Sequence, residues 1–131
     1  MAYEGQQLTH SFEASASLTT SQYKAVKMSG DDTVSVVAAV ADIPCGILQN
    51  NPASGGEAVV CFMGMTKVSS DEALSRGNAL GNASDGQAAV VAGAESDTVY
   101  VWGQCVKAST AANGIATAMV NFGGITLNAD D

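Results

Sequence analysis

The sequence predicts an all-β domain, a small β-barrel or sandwich of about eight short strands. Three observations lead there. Helical periodicity is nearly absent along the 131 residues. Short runs rich in Val, Ala, Thr and aromatics alternate with clusters of Gly, Asn, Asp and Ser. Hydrophobic residues make up 47% of the chain and charged residues 14%, a balance that favours a packed core over disorder. The length suits one domain.

Taken in order, residues 1–22 read as an extended N-terminal arm and residues 23–131 as a single β-rich domain. The arm is polar, with the large apolar residues Tyr3, Leu8, Phe12 and Leu18 spaced along it. Such a segment buries too little surface to fold alone, so it is expected to order against an edge offered by something else, with Phe12 to Leu18 pairing as a strand. Strands are then expected over Tyr23–Met28, which stops at Ser29-Gly30-Asp31-Asp32, over Thr33–Ala41, and over Cys45–Gln49. The loop Asn50–Gly56 carries strong turn chemistry. Glu57–Val68 reads as a longer strand with Gly64 as a candidate bulge. Ser69 with Glu72 three residues on is a capping-box pattern, and Gly77 is a plausible stop, so one short helix is expected over 70–76. After a turn over Asn82–Gly86 the last strands are Gln87–Ala92, Thr98–Ala108 and Ile115–Phe122, followed by a solvated tail from Asn128. Gly46 to Gly64 and Gly103 to Gly123 echo one another as strand, polar loop, strand, Gly, which fits either a doubled hairpin or two unrelated ones.

Charge narrows the partners. Thirteen acidic against five basic residues give a net charge of -8, a field that repels a phosphate backbone. The cations Lys24, Lys27, Lys67, Arg76 and Lys107 form no run, which argues against an anionic membrane surface. No apolar stretch is long enough to span a bilayer, and the first residues lack the basic and apolar regions of a secretory signal. No nucleic-acid or membrane partner is therefore expected.

A search for chemistry finds no constellation. Cys45, Cys61 and Cys105 lie in apolar strand-like runs and read as small buried hydrophobes. His10 is the single histidine, too little for a triad, and the cysteines are too few and too far apart for a zinc site. Asp31-Asp32 and Asp71-Glu72 sit where acids favour turns and helix starts. There is no Gly-x-Ser-x-Gly elbow and no phosphate-binding glycine loop. The chain is expected not to be an enzyme. Tyr100 and Trp102 share one strand face and read as core, with a protein contact or a sugar platform as the alternatives.

The order of these pieces resembles the capsid decoration, or cement, proteins of tailed-phage heads. The resemblance spans roughly Tyr23 to Gly123. It is carried by Tyr23-Lys24-Ala25-Val26-Lys27, Val34 to Ala41, Asp42-Ile43-Pro44-Cys45-Gly46-Ile47-Leu48-Gln49-Asn50, Pro52 to Glu57, Val59 to Gly64, Arg76 to Leu80, and Asp85-Gly86. These are mostly apolar positions and glycines. The resemblance implies a β-barrel or tulip-like domain on the outer surface of the virion capsid, assembled in the host cytoplasm. Its implied partner is the major capsid protein, bound where subunits meet, with a homotrimer favoured. It further implies reinforcement of the expanded shell, without cofactor or turnover, and it casts Tyr3, Leu8, Phe12 and Leu18 of the arm as capsid-binding residues. The competing expectation is a carbohydrate-binding or adhesin-like β-module that uses Tyr100 and Trp102.

Overall fold

A computed structural model describes residues 2, 4–91, 99–124 and 126–128, and among them the architecture is all-β. The strands are β1 (Gln7–Ala14), β2 (Ala25–Gly30), β3 (Thr33–Val36), β4 (Gly46–Leu48), β5 (Glu57–Ser69), β6 (Ala79–Asn82), β7 (Ala88–Val90), β8 (Val99–Val101), β9 (Gly103–Lys107), β10 (Ile115–Asn121) and β11 (Thr126–Asn128). A single 3-10 turn follows β10 over Phe122–Gly124.

Nine strands form one sheet in the order β1-β3-β2-β4-β5-β10-β9-β6-β7, and β1 also pairs with β5. That second pairing closes β1, β3, β2, β4 and β5 into a ring. The remaining strands extend from β5 as an antiparallel set, which curls back until Ala88 of β7 bridges Ser70, the residue after β5. Strands β8 and β11 form a separate antiparallel pair. The two echoing segments are both hairpins: β4 pairs with β5, β9 pairs with β10, and β5 lies beside β10.

The period of two along β2, β4 and β5 serves two cores. Val26, Leu48 and Val60 belong to a cluster with Ala14, Leu18, Val34 and Ala58. Their neighbours Ala25, Ile47 and Cys61 belong to a larger cluster with Val68, Leu74, Leu80, Trp102, Ala116 and Val120. One face of the ring thus encloses its own core and the other covers the second half of the molecule. Burying each of these Leu, Ile or Val side chains contributes about 1.5–3 kcal/mol.

Backbone contacts tie the halves together. Ala25 donates its N–H to the Gly86 carbonyl at 2.7 Å, and Ser69 donates to the Tyr23 carbonyl at 2.9 Å. Gly86 has φ +87, and a Cβ there would lie 2.9 Å from the Ala25 carbonyl oxygen, so the turn can approach β2 only as glycine. Gly64 is placed similarly: φ is +124, and a Cβ would run into the Gln6 carbonyl oxygen. The strand irregularity lies next to Gly64 in sequence, where Leu8 pairs with Met63 and Thr9 with Cys61, leaving Phe62 as the extra residue.

Three expectations are corrected. The 1–22 segment is not a free arm over its described strand: residues 7–13 pair with β5, and Glu13 and Ala14 pair with β3. Its end is held as well, since Leu18 donates to the Pro52 carbonyl at 2.8 Å and its side chain is 2% exposed. The helix over 70–76 does not form. Ser70 donates to the Gly114 carbonyl, Asp71 to that of Ala88, and Leu74 exchanges two bonds with Ser109, so the donors a helix would need are already used across the fold. The Glu72 carboxylate accepts the Val90 N–H at 3.1 Å instead of capping its own turn. The run after Thr33 is also shorter than expected, because Asp42 accepts the N–H groups of Ala38 and Ala39, both at 3.0 Å, and folds 38–42 into a turn.

Because Leu18 fills the ring core, Leu18→Ala is expected to lower unfolding stability by about 2–5 kcal/mol. Urea denaturation of the full chain checks this, and an unchanged midpoint would contradict the packing described.

Candidate functional site

The four apolar residues singled out in the N-terminal segment part company in the structure. Tyr3 lies outside the described residues. Leu18 is core and is not available to a partner. Leu8 is 54% exposed opposite Met63. Phe12 is half-buried, packs against the ring core and meets His10 edge-to-face with ring centroids 4.9 Å apart.

His10 and Phe12 form one wall of an apolar cleft of about 500 Å³, completed by Ile43, Pro44, Cys45, Phe62, Phe122 and Gly123. Each wall has a local cause. Strand alternation places His10 and Phe12 on one face of β1. Pro44 precedes β4 and Ile43 stands outside the strand, 61% exposed. Phe62 is the bulged residue of β5. Phe122 is carried over the second core by the 3-10 turn and stacks on Trp102 at 5.1 Å. Sequence reading missed Phe62 and Phe122, because it counted them into apolar strand runs, and Ile43, because it fell between two expected strands. The available signal was a large apolar residue between Asp42 and Pro44, a position that neither strand face can bury.

Two carboxylates meet at the end of β1. Glu13 lies directly opposite Glu57, and Glu57 accepts the Ser11 hydroxyl at 2.6 Å. Asp31 and Asp32 occupy the adjoining β2–β3 turn, where Glu13 donates its N–H to the Asp32 carbonyl at 2.9 Å. All four acidic side chains are exposed. The ion pair found among the described residues is elsewhere, between Lys27 and Asp42 at 2.9 Å. That lysine, with the Ala38 N–H, holds the Asp42 carboxyl below its ordinary range.

Trp102 is 2% exposed and donates its indole N–H to Asn82 at 3.0 Å. Asn82 in turn donates to the Asp42 carbonyl at 3.0 Å, so this buried amide links the tryptophan to the turn before β4. The core reading of Trp102 therefore holds, and the sugar platform built on it does not: its face is covered by Phe122.

The thiols also follow the core reading. Cys61 and Cys105 are buried, and burial raises both of their pKa values. Cys45 is partly exposed in the cleft, yet burial pushes its thiol up to about 11. A thiol held in that form is a weak nucleophile, and the side chains around it in the cleft are mainly apolar. With its pKa pushed up to about 11, Cys45 is expected to alkylate on the order of tenfold more slowly at pH 8 than an unstructured cysteine, the loss of thiolate being partly offset by its greater basicity; iodoacetamide labelling followed by mass spectrometry measures this.

No protein-family profile matches the chain, and no curated protein sequence matches it. Among solved structures, the fold is similar to the N base of head fiber gp8.5 in bacteriophage phi29, with a TM-score of 0.63 and 16% identity, over 89% of this chain and 96% of that one. At that identity the likeness establishes a shared fold along nearly the full length of both chains.

Proposed function

We propose that this chain is a structural protein of a tailed-phage head. In this reading it sits on the outer surface of the capsid, between subunits of the major capsid protein, and stabilises the expanded shell as a homotrimer without catalysing a reaction. The observation that carries the proposal is the likeness, over 89% of the chain, to the base of a phage head fibre. It agrees with the independent resemblance of Tyr23 to Gly123 to capsid decoration proteins.

The surface supports a docking role. Ile43 and Leu8 are the most exposed large apolar side chains described, at 61% and 54%, and Ile43 stands at the cleft. Covering one such side chain contributes about 1.5–3 kcal/mol, too little alone to hold a monomer on a shell. Several linked copies would multiply that through a high effective concentration, which is why an oligomer belongs to the proposal. The acidic surface keeps the chain away from packaged genome and soluble before docking. A second reading, that the chain seats a projecting fibre without reinforcing the shell, is favoured by the role named for the phi29 neighbour.

The two readings separate in one experiment. Expanded shells lacking the protein are titrated with the full chain, sedimented, and then heated. Saturable binding with a raised disruption temperature is the expected result. Saturable binding at an unchanged disruption temperature would select the fibre-base reading, and no binding would overturn both.

A further inference from the structure

Strand β1 has one edge that the fold does not use. Its even residues face β5: Ala14 donates its N–H to the Gly56 carbonyl at 2.9 Å. Its odd residues face the other way. Glu13 donates to the Asp32 carbonyl at 2.9 Å, and Ser15 donates to the Val34 carbonyl at 3.0 Å. Strand β3 begins only at Thr33, opposite Glu13, so the same outward edge at Thr9 and Ser11 has no ladder partner among the described residues. Both residues are exposed. Two N–H and two C=O groups are thereby left open on an extended strand that β5 already holds in place.

The two faces beside that edge differ in chemistry. On one face, His10 and Phe12 lead into the apolar cleft with Ile43, Cys45 and Phe62. On the other, Ser11, Glu13 and Glu57 meet, with Glu13 and Glu57 directly opposed and the Asp31-Asp32 turn adjoining. Like charges set directly opposite one another destabilise a sheet, and a cation placed beside them removes that cost. An added strand would send alternate side chains to these two faces.

From this edge and its two faces we infer that Thr9–Ser11 of β1 accepts an extended segment of a partner protein by strand addition, a segment in which apolar residues alternate with Lys or Arg. The apolar side chains enter the cleft beside His10 and Phe12, and the basic ones lie over Glu13 and Glu57. The inference deepens the capsid-surface reading and rests on it only for the identity of the partner; the edge itself is tested without a capsid. This also reverses the direction first expected for the N-terminal segment, which offers an edge rather than seeking one.

The test uses the full chain labelled with 15N and two synthetic heptapeptides, one alternating Lys and Val and one alternating Glu and Val. The Lys-Val peptide is expected to shift the Thr9 and Ser11 amides saturably, with a dissociation constant on the order of 1 mM, together with Cys45 and Phe62 in the cleft. The Glu-Val peptide is expected to leave them in place. Ser11→Pro removes an outward N–H and the exposed hydroxyl bond to Glu57 but leaves the backbone bonds to β5 in place, so it should abolish the shifts while the rest of the spectrum stays folded. Glu13→Lys keeps the edge but reverses its charge, and should weaken the Lys-Val peptide by about fivefold. Absent shifts, shifts that bypass Thr9 and Ser11, or full binding by a folded Ser11→Pro chain would each overturn the inference. Shells that bind this chain normally while the peptides fail would sink the strand-addition site alone. Peptides that bind while shells do not would sink the capsid reading alone.

Discussion

The molecule depends on one strand being used on both edges. Strand β5 runs for 13 residues, on the order of 40 Å of extended chain. One edge takes β1 over residues 57–64. The other takes β4 at residues 60–61 and then β10 over residues 63–69. The ring of β1 to β5 and the curled set of β10, β9, β6 and β7 are therefore not two domains joined by a linker. They share a backbone. Gly64 sits where the two pairings overlap, and its positive φ leaves room for the Gln6 carbonyl oxygen. The shared strand also explains the division of side chains, since Val60 enters one core and Cys61 the other.

Much of this was legible in the sequence because it is local. The long apolar run at 57–68, the paired glycine-bounded hairpins and the burial of Trp102 each follow from period, turn chemistry and size within a short window. What was not legible depends on residues distant in the chain. Residues 7–14 carry few apolar side chains and look unstructured, and they become a strand only because residues 57–64 lend an edge some 50 positions away. The capping box at Ser69 and Glu72 is sound local chemistry, yet Ser69 is claimed by β5 and Glu72 by the Val90 N–H, so long-range hydrogen bonds override the local preference. Strand β6 was not expected as a strand, and its last residue, Asn82, was read into the following turn, because Gly81 and Asn82 are poor strand formers. Both are buried, Asn82 being held by Trp102 and the Asp42 carbonyl.

The candidate site was half visible for the same reason. Leu8 and Phe12 stood out in the sequence as large apolar residues in a polar segment. Their partners in the cleft come from three other places, the turn before β4, the bulge in β5 and the 3-10 turn after β10, and no local pattern links Ile43 to Phe62 to Phe122. Leu18 has the same apolar character as Leu8 but the opposite fate, because Pro52 and the ring core receive it. The resulting surface pairs an apolar recess with an acidic face on either side of a strand edge left open among the described residues. That arrangement is what the proposed strand addition draws on, and in the proposed capsid setting the number of copies would supply the strength that one small contact lacks.

If β5 holds the two halves as one cooperative unit, its amides should open only with global unfolding. Native-state hydrogen exchange across a urea series measures this most directly. The account predicts that amides of β5, β4 and β10 converge on a single opening free energy equal to the global value, with the ring and the curled set lost together. Amides of β2, β3 and β4 that exchange through a separate opening, at lower free energy than those of β9 and β10, would contradict it.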